Sequence, residues 1–271
     1  MTQTGLSEDQ EPTAMRISFA ARTNVGLIRT RCEDALQIGQ WIGLGDGAAL
    51  SGTRTIAGGR CLDMTVVDGM GGHVGGADAA AVVAMELVGI SSVPEQELGR
   101  ALERISDRVL AAGTAWGTPD MGATFATLRI AREGIMVFNL GDCQVARCVS
   151  GRFGALTVED RAADPFATER SYLTQSLGGA ARALDPHAMS LPHGRGTTRY
   201  LVSSDGVHHE LDEVQLVASV LHGGPTDALE ALTVAVLATG ARDNFTAIVV
   251  DVMLPEAPGT EPGLMFQKYF R

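Results

Sequence analysis

The alternation and clustering of hydrophobic positions predict β-strands in five parts of the chain. Between residues 17 and 21, apolar and polar side chains alternate, as they do in a strand with one buried face. Four further runs are rich in apolar and β-branched residues, and they span 62–67, 134–140, 199–203 and 245–253. We therefore expect these runs to build the sheets of the protein.

Helical patterns separate these strands. Residues 77–88 are rich in alanine and contain no helix breaker, and residues 95–110 place their apolar side chains at the spacing of one helix face. Asp212 and Gln215 have the spacing of a capping box, which marks the start of another helix. A further helix is expected over 227–239, because Gly240 follows it as a C-terminal cap.

The order of these elements favours one α+β domain. Strands occur in neighbouring groups and helices in two blocks, which is typical of antiparallel sheets rather than of a doubly wound sheet. The first residues are polar, and the chain after Leu254 is rich in proline and glycine. We expect a disordered segment at 1–14, a folded domain at 15–254 and a loosely attached tail at 255–271.

The composition narrows the classes of function. The chain has 32 acidic and 21 basic residues, and its formal net charge is −11. This balance argues against binding to nucleic acid or to an anionic membrane surface. We expect neither a signal peptide nor a membrane span, because no sufficiently long apolar run occurs. The four cysteines form no C-x-x-C pair, so we expect reduced thiols in a cytoplasmic protein.

Four aspartates at strand boundaries suggest a reactive site. Asp68, Asp142 and Asp205 each follow a predicted strand, and Asp243 precedes one. Because the start of one antiparallel strand lies beside the end of its neighbour, all four can meet at one edge. Carboxylates that share a small volume need cations or raised pKa values, and a set of oxygen ligands suits Mg²⁺ or Mn²⁺. Two such ions would activate a water molecule and hold a phosphoryl group.

The glycine-rich segment VVDGMGGHVGG at 66–76 supports this interpretation. Glycines let the backbone approach a metal ion closely, and the carbonyl oxygen of Gly69 could itself be a ligand. An Asp-Gly pair at the end of a strand is usually a simple turn, and each aspartate alone would suggest only that. Four aspartates at successive strand boundaries favour the metal site.

Five motifs follow one another in the order found in a known family. They are GLIRTRCEDA at 26–35, VVDGMGGH at 66–73, MGATFA with NLGDCQVA at 121–126 and 139–146, LTQSLGG with LVSSDGV at 173–179 and 201–207, and ARDNFTAIVV at 241–250. With these motifs, the chain resembles the bacterial form of the type 2C metal-dependent protein phosphatases (PPM family). The resemblance implies a four-layer αββα sandwich of two antiparallel sheets flanked by helices, with a dinuclear Mg/Mn centre.

The resemblance also implies which residues would hold the first metal ion. Asp68 would bridge the two ions, and Gly69 would offer its carbonyl oxygen. Asp205 and Asp243 would complete the ligand shell of one ion. These four positions match the second, fourth and last motifs of the family.

Further residues would act on the second ion and on the substrate. Glu33 and Asp34 are expected to act on the second ion largely through waters, and Asp142 would join Asp205 at a weaker third metal. Arg29 lies four residues before Glu33, where the family places its phosphate-binding arginine. A guanidinium group suits a phosphate dianion because it donates two parallel hydrogen bonds.

Two polar residues are expected to support the site rather than to react. His73 is interpreted as a neighbour of the metal ligands or a turn-stabilising residue, because the family's eukaryotic histidine position is occupied here by Met70. Asn244 is expected to orient Asp243. His208 and His209 are interpreted as a surface pair near the start of a helix.

The resemblance implies an enzyme that hydrolyses phosphoserine and phosphothreonine in proteins and opposes a Ser/Thr kinase. The segment 158–172 is shorter than the flap that the family usually carries beside its active site. Two alternatives stay open. One is a regulatory or binding module of the same fold without catalysis, and the other is a small-molecule phosphohydrolase that the shortened flap permits.

Overall fold

The computed structural model describes residues 14–56, 59–70, 75–149, 151–163, 171–179 and 184–254. The N-terminal segment to residue 13 and the tail at 255–271 lie outside these ranges, as does His73. Within the described residues, the chain forms two large antiparallel sheets with helices on their outer faces.

Strands occur along the whole described length of the chain. They are β1 (Met15–Asn24), β2 (Asp34–Ile38), β3 (Trp41–Leu44), β4 (Ala49–Ile56), β5 (Cys61–Met70), β6 (Gly122–Ala131), β7 (Gly134–Leu140), β8 (Gln144–Val149), β9 (Arg152–Ala155), β10 (Arg161–Ala163), β11 (Ser171–Leu173), β12 (Leu177–Gly178), β13 (His187–Leu191), β14 (Thr197–Ser203) and β15 (Phe245–Met253). The first sheet has the order β4-β1-β15-β14-β8-β9. The second has the order β13-β7-β6-β5-β2-β3, with β12 paired to β6, while β10 and β11 form a separate ribbon.

The helices divide into the two blocks that the sequence predicts. They are α1 (Gly75–Val88), α2 (Glu95–Trp116), α3 (Asp205–His208), α4 (Glu213–Val220) and α5 (Pro225–Thr239). The predicted capping box is confirmed, because Asp212 accepts a hydrogen bond from the Gln215 amide while the Gln215 side chain accepts one from the Asp212 amide. Gly240 ends α5 with a left-handed φ of 107°. No helix in the described ranges is long and apolar enough to cross a membrane.

Three hydrophobic clusters separate the layers. One lies between the sheets and includes Phe19, Val66 and Val250. A second packs α1 and α2 against the second sheet, and a third packs α4 and α5 against the first sheet. Burial of these apolar surfaces drives the stacking. The predicted αββα sandwich of antiparallel sheets is therefore confirmed.

The predicted runs correspond to parts of β1, β5, β7, β14 and β15, and they miss strands such as β2, β4 and β6. Strand β2 is buried along its whole length, so it lacks the alternation of a half-buried strand. Strand β4 is an exposed edge strand with few apolar side chains, and its sequence ALSGTRTI resembles a loop. Pairing with β1 makes β4 a strand, and that pairing depends on residues far away in the sequence.

A buried ion pair ties α1 and α2 to the second sheet. The guanidinium of Arg129 donates to both carboxylate oxygens of Asp63, at 2.8 and 2.9 Å. It also donates to the carbonyl oxygens of Ile90 and Val93, which lie in the connection between the two helices. Every charged oxygen and most donors of the pair therefore have a partner, as burial of charge requires.

We expect Arg129→Met to reduce the free energy of unfolding by about 3–5 kcal/mol, because it leaves the Asp63 carboxylate buried without its cation. Urea denaturation measures this loss. The matched control is Arg108→Met, since Arg108 pairs with Glu86 while its side chain is 65% exposed. An exposed pair contributes at most about 1 kcal/mol. Equal losses for the two variants would contradict the structural role of Arg129.

Candidate metal centre

The predicted carboxylates converge at one end of the sandwich, and each sheet supplies part of the set. Asp34 opens β2 and faces Asp68 of β5 directly across the strand pair. Asp205 follows β14 in the other sheet, and Asp243 lies just before the neighbouring strand β15. Asp142 lies in the connection between β7 and β8, where the chain passes from one sheet to the other. The antiparallel order thus brings strand ends and a strand start together.

These side chains surround a cavity of about 890 Å³. Its walls contain most of the residues that the sequence singles out, namely Arg29, Glu33, Asp68, Gly69, Asp142, Asp205, Asp243 and Asn244. Asp34 lies beside this wall, as the cross-strand partner of Asp68. His73 is the one predicted site residue that falls outside the described ranges. A polar cavity lined by this many carboxylates is suited to cations rather than to an apolar ligand.

Burial and mutual repulsion disturb the ionisation of the carboxylates. Burial raises the pKa of Asp68 well above its usual range, and the neighbouring charges of Asp34 and Asp205 raise it further. Asp142 is 7% exposed, and burial followed by repulsion from Asp205 raises its pKa as well. A bound cation would stabilise the ionised form of carboxyl groups whose pKa values are raised in this way.

Asp34 gives the clearest sign of a missing partner. Its side chain is 2% exposed, and its Oδ2 accepts a hydrogen bond of 2.9 Å from the Ser204 hydroxyl. Its Oδ1 is buried and has no hydrogen-bond partner among the described residues. Burial raises the pKa of Asp34 to about 7. A buried carboxylate oxygen without a partner, inside a set of oxygen donors, fits a hard divalent cation such as Mg²⁺ or Mn²⁺.

Two glycines allow the chain to close around the site. A Cβ atom at Gly69 would lie 2.1 Å from the carbonyl oxygen of Gly76 and 2.6 Å from that of Glu33. A Cβ atom at Gly76 would lie 2.2 Å from the Glu33 carboxylate. No side chain fits at Gly69, because the obstructing atoms are backbone atoms, whereas a side chain at Gly76 would displace the Glu33 carboxylate. The close approach holds the Glu33 segment against the end of β5, where the Gly69 amide donates to the Glu33 carbonyl oxygen.

Asn244 fixes the segment that carries Arg29 and Glu33. Its side-chain amide donates to the carbonyl oxygens of Val25 and Arg31, both at 2.9 Å, and its Oδ1 accepts from the Glu33 amide at 2.8 Å. Its backbone amide donates to Asp243 at 2.7 Å. The contact with Asp243 that the sequence suggests is therefore made by the backbone. The side chain instead clamps the loop of residues 25–33.

Two arginines donate hydrogen bonds to different carboxylates of the site. Arg29 donates to Asp243 Oδ2 at 2.7 Å, and its side chain is 54% exposed. Arg161, on β10, donates to Asp142 Oδ2 at 2.6 Å and to Asp205 Oδ2 at 3.3 Å. Arg161 thus lies between the two aspartates that the resemblance assigns to a third metal. Sequence reasoning missed it, because it belongs to the segment 158–172 and its only signal is a basic residue after two acidic ones.

A threonine hydroxyl and two histidines lie close to the carboxylates of the site. The Thr124 hydroxyl donates to Asp142 Oδ1 at 3.2 Å. The interpretation of His208 and His209 as a surface pair is wrong for His208, whose side chain is only 6% exposed. His209 Nδ1 lies 3.5 Å from Asp205 Oδ2. Burial would raise the pKa of Asp205, but the contact with His209 lowers it below its usual value.

The sequence of the chain is similar to that of a bacterial phosphatase. The serine/threonine protein phosphatase PstP of Mycobacterium tuberculosis is 24% identical over 91% of this chain and 47% of the relative. The chain therefore spans about half the length of the curated relatives that it matches. No model of a protein family matches the chain.

Solved structures of bacterial phosphatases share the fold. The catalytic domain of PstP in complex with two manganese ions superimposes with a TM-score of 0.68 at 21% identity, covering 88% of this chain and 99% of that chain. PppA of Pseudomonas aeruginosa, a key regulatory component of the T6SS, gives a TM-score of 0.70 at 24% identity and covers 88% and 98%. The predicted resemblance and the predicted fold are both confirmed.

The ionisation of Asp34 generates a prediction about the metal-free protein. Because its pKa rises from 3.8 to about 7 on folding, Asp34 favours folding at low pH and loses this contribution as the pH rises through 7. We expect Asp34→Asn to be more stable than the wild type above pH 7 in the presence of EDTA. The difference should shrink toward pH 5, where the wild-type carboxyl group is protonated.

Urea denaturation at several pH values measures this difference. The matched control is Glu103→Gln, which removes an exposed carboxylate from α2. We expect this control to follow the pH dependence of the wild type. If the stability of Asp34→Asn had the same pH dependence as that of the wild type, then ionisation of Asp34 would not destabilise the metal-free protein.

Proposed function

We propose that this chain is a manganese- or magnesium-dependent phosphatase that hydrolyses phosphoserine and phosphothreonine in proteins. One observation carries the proposal: carboxylates from both sheets and the guanidinium of Arg29 face the same cavity. Such a cavity can hold divalent cations and a phosphate dianion together. The similarity in fold to the PstP catalytic domain with two manganese ions supports the same assignment.

Four groups would hold the first of the two ions or bridge both. Asp68 would be shared by the two ions, and the Gly69 carbonyl oxygen, Asp205 and Asp243 would add further oxygen ligands. When bound, the two ions would supply an activated water and neutralise charge on the phosphoryl group. The positions of these groups at or beside strand ends keep them from moving apart, so little reorganisation would accompany the reaction.

The second ion would interact with Glu33 and Asp34, whose segment Asn244 fixes through three hydrogen bonds. The pair formed by Asp142 and Asp205 would take a third ion only if Arg161 moved away, since its guanidinium already donates to both carboxylates. We therefore assign Arg161 to the stabilisation of this pair when two ions are bound.

Arg29 would bind the phosphate group of the substrate. Its Nη2 donates to Asp243, which aims the guanidinium at the cavity, while half of the side chain stays exposed. A guanidinium group can bind two phosphate oxygens at once, and it does so in both the ground state and the transition state. This contact orients the phosphorus atom toward the carboxylate cluster.

We further propose that the substrates are proteins phosphorylated by a Ser/Thr kinase and that the chain acts in signal transduction in the cytoplasm. The four cysteines, Cys32, Cys61, Cys143 and Cys148, are free thiols, which suits a reducing compartment. A panel of phosphoserine, phosphothreonine and phosphotyrosine peptides together with phosphorylated metabolites tests the substrate class. A preference for metabolites would indicate a small-molecule phosphohydrolase, and inactivity on all substrates would indicate a regulatory module.

We expect Asp68→Asn to lower manganese affinity and to reduce hydrolysis to the level observed with EDTA, because it removes the ligand shared by both ions. Isothermal titration with Mn²⁺ and turnover of a phosphothreonine peptide provide two independent readouts. Asp107→Asn, an exposed position on α2, is the matched control and should retain both properties. Normal turnover by Asp68→Asn at saturating manganese would exclude the dinuclear mechanism.

We expect Arg29→Ala to raise the KM for a phosphopeptide more than it lowers kcat, because the contact forms before the transition state. A charge-assisted hydrogen bond of about 1.5–3 kcal/mol corresponds to a loss in kcat/KM of roughly ten- to a hundredfold. Arg242→Ala is the control, since Arg242 is next to Asp243 but pairs with Glu210. An unchanged KM with a collapsed kcat would instead assign Arg29 to the transition state.

A further inference from the structure

Glu159, His208 and His209 form a compact group beside the carboxylate cavity but outside its walls. Each residue offers one ligand atom, and the three atoms lie within 4.8 Å of one another. His208 Nε2 is 3.5 Å from Glu159 Oε1, and His209 Nε2 is 3.7 Å from Glu159 Oε2. Both imidazole rings therefore present the same nitrogen to the same carboxylate.

These distances are those of ion pairs, and they also leave room for a metal ion shared by the three side chains. A hydrogen bond between nitrogen and oxygen spans about 2.7–3.2 Å, so both contacts are too long. Ligand atoms that each lie about 2.0–2.1 Å from a tetrahedral zinc ion are separated by roughly 3.4 Å. His208 Nε2 lies 3.5 Å from Oε1 and His209 Nε2 lies 3.7 Å from Oε2, and small side-chain movements would bring one atom from each residue, now within 4.8 Å of one another, to this separation.

A buried nitrogen in the group has no partner. The His208 side chain is 6% exposed, yet its Nε2 has no hydrogen-bond partner among the described residues. Its other nitrogen, Nδ1, lies 3.3 Å from the Ser203 hydroxyl. Leaving a buried polar atom without a partner costs free energy, and a metal ion at Nε2 would remove that cost.

His209 has the second contact that metal-binding histidines usually make. Its Nδ1 lies 3.5 Å from Asp205 Oδ2, while its Nε2 points to Glu159. In metal sites, the ring nitrogen that does not bind the ion commonly donates to a carboxylate or another polar group. Both histidines place their second ring nitrogen near such a group, which is Asp205 at 3.5 Å for His209 and Ser203 at 3.3 Å for His208.

We propose that Glu159, His208 and His209 bind a zinc ion at a site separate from the all-oxygen centre. Two imidazoles and one carboxylate favour zinc or cobalt over magnesium and manganese, which prefer oxygen ligands. Three protein ligands leave a fourth position open. Glu159 and His209 are 34% and 41% exposed, so an ion and a water molecule can reach this position from solvent.

The proposed site is linked to the carboxylate centre through one residue. Asp205 contacts His209 on one side and Arg161 on the other, and it lines the central cavity. Zinc at His209 would hold the imidazole ring in place and with it the contact between His209 Nδ1 and Asp205 Oδ2. The zinc site would therefore influence the position of a carboxylate that the proposed phosphatase centre also uses.

Cobalt provides a spectroscopic test with the full chain. The protein is stripped with EDTA and then saturated with Mg²⁺, which fills the oxygen centre and binds imidazole poorly. We expect Co²⁺ to give the strong visible absorption of a four-coordinate site at one equivalent and Zn²⁺ to displace it. His209→Gln and Glu159→Gln, both at exposed side chains, should each weaken cobalt binding at least about tenfold.

Two controls separate this site from the central one. His222→Gln removes an exposed histidine elsewhere and should leave the absorption unchanged. Asp68→Asn should also retain it, because that variant alters only the oxygen centre. Absence of the absorption in the wild type, or its persistence in His209→Gln, would mean that the three residues form only an ion-pair cluster. Because the readout is binding, this result does not depend on phosphatase activity.

Discussion

The repulsion between Asp34 and Asp68 is the constraint on which the site depends. The two carboxylates face each other across β2 and β5, in the register where like charges destabilise a strand pair. Asp34 is 2% exposed, and burial raises the pKa of both carboxyl groups. Protonation or a cation between the two groups relieves such repulsion. The Ser204 hydroxyl satisfies one oxygen of Asp34, and the other has no hydrogen-bond partner among the described residues.

The two sheets bring further carboxylates to the same end of the sandwich as Asp34 and Asp68. Each sheet ends in carboxylates, and the passage from β7 to β8 carries Asp142 between the sheets. Because most of these carboxylates lie at or beside strand ends, their positions are set by the hydrogen bonds of two sheets. The loop of residues 25–33 is an exception. It obtains its rigidity from Asn244 and from the close approach of Gly69 and Gly76.

The two arginines of the site differ in exposure and in the carboxylates that they contact. Arg29 is half exposed beside Asp243, where it can reach a ligand in the cavity. Arg161 is 25% exposed and donates to Asp142 and Asp205, so it acts within the cluster itself. Asp205 also contacts His209, which makes it the one carboxylate of the described cluster with cationic or imidazole partners on two sides. Its lowered pKa contrasts with the raised pKa of Asp68 and follows from these neighbours.

The fold class and most of the residues that line the carboxylate cavity could be predicted because they depend on local patterns. Hydrophobic runs such as 245–253 and the capping box at Asp212 report local structure directly. The aspartates at strand ends could be joined into one site because antiparallel pairing makes strand starts and strand ends neighbours. The ordered motifs then identified the family that the chain resembles.

Other features were decided only by the tertiary structure. Strand β4 exists because β1 pairs with it, although its own sequence is mostly polar. Arg161 reaches Asp142 and Asp205 because its ribbon lines the cavity, and His208, whose side chain is 6% exposed, lies 3.5 Å from Glu159, a residue far from it in the sequence. The sequence determines which side chains stand at the end of each element. Packing between distant elements decides which of them meet, because partners that are far apart in the chain leave no periodic signal.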